Sequence, residues 1–161
     1  MFAISTKRRI LTIRLNQYVK KRTGVGLGDS DSLQNMLSRS LGASTFGNFW
    51  RYWNPIWSYY LSLYVMRPLS KWLPQWLAIL TTFAVSGALH DLAVTLIKWR
   101  LVFFFTPWFS VMGVAVLVTS KLRFNYAGFS WAIRATFNLA IIVACYLLTT
   151  LVDEVFVQAY S

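Results

Sequence analysis

The sequence predicts an all-α integral membrane protein, with about three membrane-spanning helices and shorter interfacial or re-entrant helices beside them. Three observations carry this. Apolar residues make up 57% of the 161-residue chain and charged ones only 13%, about half the charged share of a soluble domain, and mean hydropathy is +0.49. Three apolar runs, 77–97, 101–120 and 131–152, have the length of about 20 residues that a helix needs to cross a bilayer. No run shows the alternation of a barrel strand, and in lipid a helix satisfies its backbone amides within one segment.

Charge placement sets the topology. Net charge is +11, from sixteen basic and five acidic residues. Eleven basic residues precede the first run, and Lys121, Arg123 and Arg134 fall between the second and third. Only Lys98 and Arg100 separate the first from the second. If the chain up to Lys71 does not cross, the positive-inside rule puts the N-terminus in the cytoplasm, of a bacterial inner membrane or another cell membrane, and Asp153-Glu154 outside. Topology and anionic membrane lipid then account for the basic excess, and no nucleic-acid partner is expected. Cys145, the one cysteine, can form no internal disulfide and reads as buried filler. Arg14 and Asn16 interrupt any secretory signal, while the absence of acids before Asp29 leaves an organelle transit peptide open.

Two regions follow in order. Residues 1–32 read as a basic N-terminal arm and a Gly/Ser/Asp linker, and 33–161 as a helical membrane domain. In the arm, Leu11, Ile13 and Leu15 alternate as in a strand, whereas Leu11, Leu15 and Tyr18 fit a helix. Gly24, Gly26 and Gly28 mark a flexible linker, since the lysine of a phosphate-binding loop is missing. Leu33, Met36, Leu37 and Leu41 then describe an amphipathic helix that Asp31 or Ser32 can cap and Gly42 ends.

From 44 to 73 the chain is dense in Trp and Tyr among Arg51, Arg67 and Lys71, a composition suited to the headgroup level. Pro55 disfavours helix at Asn54, so a break is expected there. In the second run Pro107 is placed to bend the helix. In the third, Asn138 and the small residues Ala135, Ala140 and Ala144 read as helix-packing positions.

His90 is the only imidazole in the chain and lies within the first apolar run. An ionisable group there costs several kcal/mol to insert and usually marks a pathway or a reactive site. Taken from the residues alone, His90 is also a structural hydrogen-bonding residue, with Ser86 one turn before it, or a haem ligand that needs a second ligand from a partner chain. Asp91 points to another side of the helix, with Gly87 and Thr95, and reads as a helix-packing residue or the partner of a basic group.

Three motifs stand in register: Asn48-Phe-Trp-Arg-Tyr-Trp-Asn54-Pro55, Tyr64-Val-Met-Arg-Pro68-Leu69 and Ser86-Gly-Ala-Leu-His90-Asp91. In this order the set resembles the membrane-bound O-acyltransferase family, in the asparagine-type branch that holds sterol and diacylglycerol acyltransferases. It covers 46–97 and departs from the family pattern at Met66 and Asp91. The resemblance implies a partial core of that fold and transfer of an acyl group from a thioester, acyl-CoA or an acyl carrier, to a hydroxyl acceptor. No bound cofactor and no metal are implied. By position, His90 matches the catalytic histidine, here a general base, and Asn54 the second active-site residue, orienting the imidazole or donating to the oxyanion. Arg51, Trp53, Arg67 and Lys71 are implied to bind substrate, the basic ones near the phosphates of CoA. Three spans cannot wall the tunnel of that family, which implies a homo-oligomer or a partner membrane subunit. The alternative is a non-catalytic membrane subunit or lipid-binding scaffold derived from the fold.

Overall fold

The computed structural model describes residues 13–160, with side chains described to Glu154. The first half of the basic arm, including Lys7, Arg8 and Arg9, lies outside the described residues, as does the transit-peptide question.

Among the described residues every regular element is a helix. The arm resolves as helix α1, Leu15–Thr23, closed by Gly24 in the left-handed region at φ 90°. The loop after it is not the flexible linker expected from its glycines, because neighbouring helices hold its backbone. Leu27 N–H donates to Asn16 Oδ1 at 2.9 Å, Thr23 Oγ1 donates to the Val25 carbonyl at 3.0 Å, and Arg39 reaches the Arg22 carbonyl at 3.1 Å. Helix α2, Ser32–Leu41, begins at Asp31 without a side-chain cap and ends at Gly42. Its apolar stripe is divided: Leu33 is exposed, while Met36 faces Asn54.

Helices α3, Phe46–Tyr52, and α4, Pro55–Leu61, meet at Asn54. Thr45 caps α3 by accepting from Asn48 N–H, and Asn54 caps α4 by accepting from Trp57 N–H. Past Leu61 the chain continues through a π-helical stretch, Ser62–Met66, into α5, Arg67–Leu69. The contacts make this segment a hairpin whose two ends lie at one end of the bundle. Gly47 sits beside Ser120 and Val116, Trp57 reaches Ser86 and His90 at the tip, and Met66 returns to Thr82.

Three longer helices follow: α6, Gln75–Lys98, α7, Phe105–Lys121, and α8, Trp131–Tyr160. Neighbours run antiparallel, with Phe83 against Gly113 and Gly87 against Phe105, then Phe104 and Trp108 against Tyr146. Two of the three are long and apolar enough to cross a membrane, Gln75–Lys98 and Trp131–Glu154. The middle one starts at Phe105 rather than at 101, and its 17 residues span about 26 Å.

The late start of α7 has a local cause. After Trp99 turns the chain at φ 51°, polar side chains of α6 take up the returning backbone. Thr95 Oγ1 accepts from Val102 N–H at 3.0 Å. Asp91 accepts from Phe104 and Phe105 N–H through Oδ1, at 2.9 and 2.8 Å, and from Thr106 N–H and Oγ1 through Oδ2, at 2.8 and 2.6 Å. These bonds satisfy amides that an α-helix leaves open at its N-terminus. Pro107 is thus the third helical residue, where its missing N–H costs nothing, and it caps a start rather than bending a middle. Gly87, Asp91 and Thr95 form one stripe on α6 against this segment, so the packing alternative for Asp91 is the one realised.

On α8, Asn138 is fully buried and donates from Nδ2 to the carbonyls of Leu41 and Ala43, at 2.9 and 3.0 Å, while accepting from the Tyr126 hydroxyl. Ala135 is buried with it, but Ala140 and Ala144 are exposed and do not pack within the chain. Cys145 is buried and free.

Candidate functional site

A cavity of ≈ 210 Å³ lies between the hairpin and α6, closed on a third side by Phe109 of α7. His90 and Asn54 both line it, as does Trp53. Arg51, Arg67 and Lys71 do not. Arg51 and Lys71 are exposed, and Arg67 is half-buried on α5.

Helical spacing produces the polar wall. Thr82, Ser86 and His90 recur every four residues on α6 and share one face. His90 Nδ1 lies 2.7 Å from the Ser86 carbonyl oxygen. A carbonyl can only accept, so Nδ1 carries the proton, and in the neutral ring Nε2 is left with its lone pair. Among the described residues Nε2 has no hydrogen-bond partner. The ring is caged by aromatics, with Trp57 edge-on at 5.7 Å, Phe109 at 4.9 Å and Phe105 at 5.8 Å between centroids. Asp91 does not touch the imidazole, but by fixing Phe105 it holds one side of the cage.

Trp57 links the two walls. Its indole N–H donates to Ser86 Oγ at 2.9 Å, joining α4 to α6 one turn from His90. Ser86 therefore serves twice, its hydroxyl holding Trp57 and its carbonyl holding His90.

Asn54 sits at φ 40°, ψ 72°, a left-handed conformation that asparagine tolerates better than most residues. Its Oδ1 accepts from Trp57 N–H at 3.2 Å and its backbone N–H approaches Met36 Sδ at 3.3 Å. With Oδ1 committed to the cap, the Nδ2 amide is the donor left over, and no hydrogen bond to it occurs among the described residues. The imidazole is oriented by Ser86, not by Asn54. Trp53 stacks on Phe49 at 5.4 Å, while Trp50 packs edge-on against Phe83 and tilted on Phe109, so the aromatic motif builds the cavity's walls.

Trp57, Met66, Ser62 and Phe109 were not among the residues expected at the site. The Thr82-Ser86-His90 spacing was available as a signal for the polar wall. Nothing in the sequence marks Phe109, which reaches the site only because α6 and α7 are antiparallel neighbours. No protein-family model, curated protein or solved structure matches this chain.

Proposed function

We propose that the chain is a small membrane-bound acyltransferase of the O-acyltransferase type, moving an acyl group from a thioester such as acyl-CoA to a hydroxyl acceptor. In this reading α6, α7 and α8 cross the bilayer with the N-terminus cytoplasmic, the apolar 101–104 segment completes the middle crossing, and the hairpin re-enters from the cytoplasmic side. Leu92 and Leu96 of α6 and Leu139 and Leu147 of α8 are exposed, and lipid or a partner helix is their natural neighbour.

One observation carries the proposal. An imidazole whose Nδ1–H is committed to the Ser86 carbonyl shares an apolar cavity with an asparagine whose Oδ1 is committed to a cap. What remains is an acceptor on His90 and a donor on Asn54, the pair that acyl transfer to an alcohol needs. The acceptor hydroxyl gives its proton to Nε2 as its oxygen bonds the thioester carbon. Asn54 Nδ2 donates to the resulting oxyanion. As the oxyanion collapses, the C–S bond breaks and the thiolate takes the proton back from the imidazolium, leaving an ester and a free thiol. Trp53 walls the acyl group, and the aromatic lining limits hydrolysis by water. Arg51, Arg67 and Lys71 would meet the phosphates of the donor outside the cavity.

The test is ester formation from radiolabelled dodecanoyl-CoA and dodecanol by the purified protein in liposomes, with free thiol measured in parallel. Ester and thiol appearing in equal amounts support the proposal. No ester above the protein-free rate leaves only the non-catalytic scaffold.

A further inference from the structure

Ser62 differs from the other hydroxyls of the cavity wall. Thr82 donates to the Ala78 carbonyl at 2.6 Å and Ser58 to the Trp53 carbonyl at 3.1 Å, so both are spent on the backbone. Ser70, one helical stretch later, does the same with Met66 at 2.7 Å. Ser86 Oγ is held by Trp57. Ser62 lines the same cavity, and its hydroxyl makes no hydrogen bond among the described residues. It is the first residue of the π-helical stretch, whose wider ladder runs from Arg67 N–H back to the Ser62 carbonyl. Such insertions change which side chains face a groove and recur at functional sites.

The position of Ser62 gives its hydroxyl a register. Trp57 marks the level of His90, and Met66 the level of Thr82, two turns lower on α6. Ser62 lies five residues beyond Trp57, about 7 Å along the helix axis. Around this stretch the lining also includes Leu61, Phe83, Met66 and Trp50, whose buried indole N–H has no partner among the described residues, so Ser62 is the free hydroxyl of the wall rather than its only free polar group. A ligand placing its reacting hydroxyl at His90 thus meets, further along the same cavity, the one wall hydroxyl that makes no side-chain hydrogen bond among the described residues.

We infer that Ser62 is a specificity-determining residue that hydrogen-bonds a second oxygen on the acceptor. The preferred acceptor is then an amphiphile with two oxygen functions separated by a short hydrocarbon stretch, with a monohydric alcohol accepted less well. The inference rests on the acyl-transfer reading and deepens it.

The experiment compares dodecanol with a dodecane diol bearing its second hydroxyl four carbons further along, each acylated from radiolabelled dodecanoyl-CoA. The wild-type KM is expected to be roughly fivefold lower for the diol, the effect of one added hydrogen bond. In Ser62→Ala the two KM values converge. Equal wild-type KM values, a comparison that needs no variant, overturn the inference alone. So does a preference that persists in Ser62→Ala. Transfer to neither acceptor overturns the inference together with the acyl-transfer reading.

Discussion

The imidazole of His90 donates from Nδ1 to the carbonyl of Ser86, 2.7 Å away and one turn earlier on the same helix. The Ser86 hydroxyl at the same residue accepts the Trp57 indole N–H at 2.9 Å. Ser86→Ala keeps the carbonyl and so keeps the His90 tautomer, but leaves the indole without its acceptor. An unsatisfied buried donor costs about 1–3 kcal/mol. The variant is expected to melt earlier in detergent and, if the proposed acyl transfer holds, to lose about tenfold in its kcat, because a shifted Trp57 loosens one side of the imidazole cage. Thermal melts and steady-state kinetics on the same preparation check both.

In the acyl-transfer reading, Asn54 carries two roles on its two side-chain atoms, the cap on Oδ1 and the oxyanion donor on Nδ2. Asn54→Asp retains an acceptor for Trp57 N–H and tolerance of φ 40°, but removes the Nδ2 donor. Its melting temperature should stay near wild type while kcat falls about a hundredfold or more, as for loss of an oxyanion donor. Asn54→Gly suits the left-handed backbone, forfeits a cap worth only a few tenths of a kcal/mol against glycine, and should be equally inactive. Retained activity in Asn54→Asp would remove Asn54 from the chemistry and leave it a cap.

Much of this arrangement was legible in the residues. The break at Asn54-Pro55 followed from the steric restriction before proline, and the placement of Ser86 on the face of His90 from four-residue spacing. Asn138 read correctly as an amide bonding across helices. The start of α7 was not legible, because apolar residues 101–104 fit a helix by composition. Asp91 and Thr95, side chains of another helix, take their amides instead. Ala140 and Ala144 misled for a related reason: small residues permit close packing but do not say which face finds a neighbour. The glycines after Thr23 signalled freedom, yet Asn16 and Arg39, remote in sequence, hold the chain on either side of Gly24.

Asp91 and Gly87 should govern the α6–α7 joint rather than the chemistry. Asp91→Ala strips acceptors from three backbone amides and the Thr106 hydroxyl, and is expected to cost roughly 3 kcal/mol or more in stability. Gly87→Ala would set a methyl 2.5 Å from the Phe105 carbonyl oxygen and 2.6 Å from Thr106 Cα, both backbone atoms, and should cost about 1–3 kcal/mol. Urea titration in mild detergent measures both. Wild-type stability in either variant would contradict the packing described.

Tyr126 offers a pH test outside the long helices. Burial pushes its hydroxyl from the ordinary 10.0 up to about 12, and that hydroxyl donates to Asn138 Oδ1 at 2.5 Å. The raised value favours the protonated form in the fold. Its stabilising contribution is therefore complete below pH 10 and lost as pH rises toward 12. Tyr126→Phe should be about 1 kcal/mol less stable at neutral pH and should show a smaller further loss between those two values. Parallel melting curves across that range would decide the matter.

The most direct measurement is single-turnover acyl transfer from radiolabelled dodecanoyl-CoA by wild type, His90→Ala and His90→Gln in liposomes. Loss of a general base predicts a fall of about 10²- to 10⁴-fold in the chemical step for both variants, with donor binding held within a few-fold. Equal rates for wild type and His90→Ala would contradict the account.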